Sequence, residues 1–105
     1  MQQLIGQMLT LADVEQSTAK PEESSVDFAS ISMKAALEME SLAYEKQVTL
    51  DTDLPECCMV WGNADYLLRI VSSLLENALK YEPAGGNVLL TMTQEKRKTI
   101  LLVKN

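Results

Sequence analysis

The run from Asn63 to Tyr81, NADYLLRIVSSLLENALKY, leaves little choice of structure. Ala64, Leu67, Leu68, Val71, Leu75, Ala78 and Leu79 recur at helical spacing and form one apolar stripe. Asn63 supplies a capping side chain. Asp65 puts a negative charge in the first turn, where the helix dipole favours it. Pro83 and the pair Gly85-Gly86 then stop the helix. The spacing predicts a core helix over 63–81, and the rest of the chain has to supply a surface to cover it.

The same run carries a second stripe. Ser73, Asn77, Lys80 and Tyr81 lie at i, i+4, i+7 and i+8, on the flank of the apolar face. Asn is a poor helix former and brings an amide that must be satisfied. Beside Lys and Tyr, that amide can serve a ligand: its oxygen suits a hard cation, the ammonium a phosphate, the ring a flat base. The residues alone leave another reading open. Asn77 would cap a neighbouring loop, Tyr81 would pack at a boundary, and Lys80 would pair with Glu76.

Residues 74–81, Leu-Leu-Glu-Asn-Ala-Leu-Lys-Tyr, resemble the N-box of the histidine-kinase ATP-binding domain, a member of the GHKL ATPases. The family pattern is Asn-Leu-Leu-x-Asn-Ala-x-Lys-Tyr. Val60-Trp61-Gly62-Asn63 is similar to the family's Val-x-Gly-Asp before this helix, with Asn in place of Asp. Pro83-Ala84-Gly85-Gly86 and Asn87–Leu90 resemble the turn and strand that follow it. The resemblance covers most of residues 25–103. It implies ATP and Mg²⁺ as cofactors, with Ser73, Asn77, Lys80 and Tyr81 on the nucleotide. Asn77 would hold the metal and Lys80 a phosphate, and Tyr81 would border the nucleotide. Ser73 stands where the family usually carries Asn or a carboxylate, four residues before Asn77.

A chain of 105 residues is the size of one domain, and 47% apolar residues suffice for a core. The net charge of −6 argues against nucleic acid or an anionic membrane as a main partner. No run is long enough to span a bilayer, and none resembles a signal peptide, so the expected location is cytoplasmic, with any membrane anchor of a longer parent lying upstream. Cys57 and Cys58 are adjacent and are the only cysteines. They suit neither each other as a disulfide nor a zinc site, and read as small residues entering a strand in a reducing compartment. There is no His. The chain therefore carries no phosphoacceptor histidine of its own.

Along the chain, Leu4, Ile5, Met8, Leu11 and Ala12 predict an amphipathic helix over residues 1–16. The segment resembles the end of a kinase dimerisation hairpin, which places a boundary near residue 18. Residues 19–25 read as a linker, and 26–105 as part of the ATP-binding domain. Val26-Asp27-Phe28 reads as a short strand. A helix is expected from Ser30, as its cap, to Lys46, with Ile31, Ala35, Met39 and Leu42 on one face. Strands are expected at 48–53 and 59–61. A hairpin is expected from 87–93 and 98–103, with Glu95-Lys96-Arg97 at its tip.

This order predicts an α+β two-layer sandwich, two helices on one face of a mixed sheet. The resemblance implies the Bergerat-type version of it. The chain ends at Asn105, where the family continues with Asp-x-Gly-x-Gly, a lid and a second Gly-rich motif. The expectation is an incomplete domain with an N-terminal helix, inactive by itself and weak towards Mg-ATP. Two functions follow. In the first, the chain is a fragment of a two-component sensor kinase that phosphorylates a histidine on a dimerisation domain and signals to a response regulator. In the second, it is a non-catalytic interaction module on the same fold. A homodimer through residues 1–16, through an exposed edge of strand 98–103, or both, is expected as well.

Overall fold

The computed structural model describes residues 6–12, 24–95 and 98–105. The described elements run β1 (Gly6–Ala12), β2 (Ser24–Asp27), α1 (Phe28–Lys46), β3 (Thr49–Asp53), β4 (Met59–Gly62), α2 (Ala64–Tyr81), β5 (Asn87–Glu95) and β6 (Lys98–Lys104). One sheet has the order β1-β6-β5-β3, and β2 and β4 form a second, two-stranded sheet. β1, β6 and β5 are antiparallel in turn, whereas β3 joins β5 in parallel, so the larger sheet is mixed.

β5 and β6 alternate buried and half-buried residues along their length. Val88, Leu90 and Met92 of β5 and Thr99, Leu101 and Val103 of β6 point inward. Leu67, Val71, Leu75, Ala78 and Leu79 of α2 meet them in one core, which α1 completes with Phe28 and a series of small residues. The two helices pack on each other, and α2 lies on β5 and β6. This is the expected two-layer α+β architecture.

Helix α1 begins three residues earlier than expected, since its cap is Asp27, not Ser30. Asp27 Oδ1 accepts the N–H groups of Ala29 at 3.1 Å, Ser30 at 3.4 Å and Cys58 at 2.9 Å. The Phe28 N–H donates to the Cys58 carbonyl at 2.7 Å. One carboxylate therefore starts the helix and fastens it to the approach to β4. Ser30 has no such cross-link to offer. The first strand shifts with the cap, to Ser24–Asp27, so residues 24 and 25 of the expected linker belong to it.

The N-terminal helix is corrected where it can be compared. Gly6–Ala12 is a strand, antiparallel to β6 from Gly6↔Lys104 to Ala12↔Lys98. The helical spacing of its apolar residues loses to a row of otherwise open N–H and C=O groups along β6, which seven extended residues satisfy at once. The expected free edge of β6 is thereby corrected too, because β6 lies inside the sheet. The remaining residues of that expected helix, and the linker before Ser24, lie outside the described residues.

Two side chains set the stability predictions. Replacing Asp27 by Ala removes the cap and strands the Cys58 N–H, so the expected loss is about 2–3 kcal/mol in urea unfolding. Ser32 is completely buried in α1, and its Oγ finds no hydrogen-bond partner among the described residues. Ser32→Ala should therefore stabilise the fold by about 1 kcal/mol in the same measurement.

Candidate functional site

Helix α2 forms as its sequence dictates. Asn63 is extended, at φ −97° and ψ 119°, and its Oδ1 accepts the Tyr66 N–H at 3.0 Å. Asp65 sits in the first turn and Lys80 in the last, each at the end the macrodipole favours. Burial of the apolar stripe turns the other flank outward. Ser73, Asn77, Lys80 and Tyr81 are all exposed, on one strip of the C-terminal half of α2.

The strip is brought together as expected. Lys80 Nζ stands 5.6 Å from the centre of the Tyr81 ring, a cation–π approach. Tyr81 is 62% exposed, so the ring offers an open face. Asn77 leaves its amide oxygen accessible to a ligand. Among the described residues no group of three His, Cys, Asp or Glu side chains could hold a metal by itself. A cation on this strip would take one protein oxygen, from Asn77, and complete its shell from phosphate and water, a usual arrangement for Mg²⁺.

The end of the strip is held by a junction of three segments. Gln47 caps α1 in the left-handed conformation, at φ 60°, and its carbonyl accepts the Gly85 N–H at 2.7 Å. The Thr49 N–H donates to the Gly86 carbonyl at 3.0 Å, which ties the start of β3 to the same turn. Gly85 has φ +90°, a conformation other residues adopt only with strain. A Cβ on Gly86 would run into the Glu82 side chain, whose Oε2 accepts the Asn87 N–H at 3.2 Å. At the far end of β6, Asn105 Nδ2 donates to the Ala78 carbonyl at 3.2 Å. Asn105 is thus the described neighbour of the strip that helix spacing gave no reason to include, since only tertiary contact places it there.

No protein-family model matches the chain. Over its whole length it is 31% identical to the sensor histidine kinase RppB of Synechocystis, of which it covers 23%. The chain is homologous to sensor histidine kinases. It is also 40% identical over 68 residues to the adaptive-response sensory kinase SasA of Synechococcus, covering 64% of this chain and 18% of that one. The sensor protein DltS of Streptococcus agalactiae matches the full chain at 25% identity over 27% of its own length. The chain thus spans about a quarter or less of these curated relatives.

Among solved structures, the cytoplasmic segment of histidine kinase QseC superposes with a TM-score of 0.65 at 14% identity, over 87% of this chain and 81% of that one. The mycobacterial sensor histidine kinase MprB gives 0.60 at 23%, over 70% and 48%. They share the fold of the kinase homologue described above. The non-catalytic alternative gains nothing from any of these likenesses.

A groove of about 500 Å³ lies away from the strip, beside the start of α1, with Met33, Leu37, Leu54 and Pro55 among its walls. The two cysteines are free, Cys57 exposed and Cys58 buried. Cys58 Sγ lies 3.6 Å from Thr99 Oγ1 in the core. The Cys57 thiol is pushed above its ordinary value by desolvation, with the nearby Asp27 carboxylate opposing a thiolate as well. The protonated form is the unreactive one. Cys57 should therefore react with iodoacetamide at pH 7 more slowly than free cysteine, and catch up only as the pH rises above the usual thiol range. An equal or faster rate at pH 7 would contradict this electrostatic picture.

Proposed function

We propose that this chain is part of the ATP-binding catalytic domain of a two-component sensor histidine kinase. The observation that carries the reading is the run 74–81, whose polar members fall together on an exposed strip of α2 in a chain homologous throughout to a sensor histidine kinase. In this reading Asn77 gives an oxygen to Mg²⁺ and Lys80 meets a phosphate of ATP. Ser73 and Tyr81 flank the nucleotide.

Phosphoryl transfer asks mainly for positioning and for neutralisation of charge. The metal supplies the neutralisation when bound. The chain's own part is to hold an amide and an ammonium one helical turn apart on a rigid helix. The acceptor has to come from elsewhere, since the chain has no His. The reading therefore includes a histidine-bearing dimerisation domain, a response regulator as the next acceptor, a homodimeric parent and a cytoplasmic site of action. No described helix is long and apolar enough to cross a membrane.

The test is a titration of the ¹⁵N-labelled chain with Mg-ATP to several millimolar, since one nucleotide motif alone binds weakly. Backbone amides of residues 73–81 should shift, and Asn77→Ala should abolish most of that shift with the rest of the spectrum unchanged. Shifts confined to other residues, or an Asn77→Ala titration like the wild type, would overturn the site.

A further inference from the structure

The exposed strip of α2 does not end at Ser73. Arg69 stands four residues before it and is exposed as well. At about 100° per residue, Arg69, Ser73, Asn77, Lys80 and Tyr81 fall within one arc of about 120°. Arg69 and Lys80 are the two cations of α2, and both lie on this arc. Asp65 and Glu76 are its two acids, and both fall outside it. In a chain with 15 acidic and 9 basic residues, the arc is a local reversal of charge. Asp65 precedes Arg69 by four residues, but an exposed ion pair at that spacing is weak and yields to a multiply charged ligand.

We infer that Arg69 takes the terminal phosphate of the nucleotide and makes the strip select triphosphate over diphosphate. The inference rests on the ATP reading above and adds to it a residue outside the 73–81 run. The direction of the ligand follows from the helix. Tyr81 ends α2, and the turn at Pro83–Gly86 closes that side. A base at Tyr81 with Asn77 at the metal therefore lays the phosphate tail towards the start of α2. In phosphoryl-transfer sites the metal ion bridges β and γ oxygens. With Asn77 as its ligand, the γ-phosphate falls on the side of Asn77 away from the base, where Ser73 and Arg69 follow. Ser73 is about 6 Å from Asn77 along the axis, and Arg69 about 12 Å. Ser73 offers one hydroxyl donor and no charge. Arg69 offers five N–H donors on a long stem, and its planar fork fits two phosphate oxygens at once. Lys80, eleven residues beyond Arg69 and about 16 Å along the axis, is left for the phosphates nearer the base. ADP has no terminal phosphate to give Arg69, so the contribution of the arginine is confined to ATP.

The test is the same ¹⁵N titration of the 105-residue chain, run with Mg-ATP and with Mg-ADP. The wild type should bind Mg-ATP about fivefold more tightly than Mg-ADP, and the Arg69 side-chain N–H should shift with Mg-ATP only. Arg69→Gln should raise the Kd for Mg-ATP about fivefold and that for Mg-ADP less than twofold, which abolishes the preference. Arg69→Lys keeps the charge and loses the fork, so its preference should fall in between. Lys34→Gln removes one exposed charge from α1 and should leave the preference intact. Spectra unchanged away from the strip confirm that each variant is folded. Equal affinity of the wild type for the two nucleotides overturns the inference and leaves the ATP reading standing. So does an Arg69→Gln variant that weakens both nucleotides alike or neither, or a Lys34→Gln variant that loses the preference as well. Absence of any shift over residues 73–81 with either nucleotide overturns the ATP reading and the inference with it.

Discussion

The structure depends on the burial of one helical stripe against one sheet face. Leu67, Val71, Leu75 and Leu79 of α2 are essentially without solvent exposure. Full burial of each contributes about 1.5–3 kcal/mol. Rotating α2 by one residue, about 100°, would bring Asn77 and Lys80 towards Leu90 and Leu101 and lose much of that burial. The core therefore sets the outward direction of the polar strip. No contact within the strip has to hold it there, which leaves its polar groups available to a ligand.

Burial sets the rotation of α2, and the junction at its end sets its position along its axis. The Gln47 carbonyl and the Thr49 N–H both bond to the turn after the helix, at Gly85 and Gly86. Lys80 and Tyr81 lie in the last turn before that junction. The left-handed Gln47 and Gly85 are local costs that the three-way hydrogen bonding offsets. Asp27 does the equivalent at the other side of the fold, joining β2, α1 and the approach to β4 through a single carboxylate oxygen. Two polar junctions thus locate the ends of elements whose faces are chosen by the core.

What was legible in the sequence follows the range of the interactions concerned. Asn63, Asp65 and the 63–81 stripe act within a few residues of one another, so α2 and its cap could be read directly, as could the alternation of β5 and β6. The cap of α1 could not. Ser30 and Asp27 are both good caps, and the choice fell to Cys58, thirty-one residues away from Asp27. The first segment misled for the same reason on a larger scale. Gly6–Ala12 has a helix-like apolar spacing, yet its partner is β6, near the other end of the chain. Ladder pairing at that separation leaves no local signal. The strip was legible by motif and spacing, but the position of Asn105 beside Ala78 needed the fold.

A two-layer sandwich gives the chain surfaces that do not compete. The polar strip belongs to the helical layer, and the register row of Asp51, Leu89 and Lys104 belongs to the far side of the sheet. Between them lies the single core of Val88, Leu90, Leu101 and Val103 against α2. Close packing of that core transmits displacement, because a buried leucine has no room to yield. α2 rests on both β5 and β6, so any coupling between the strip and the far side of the sheet passes through the core residues of both strands.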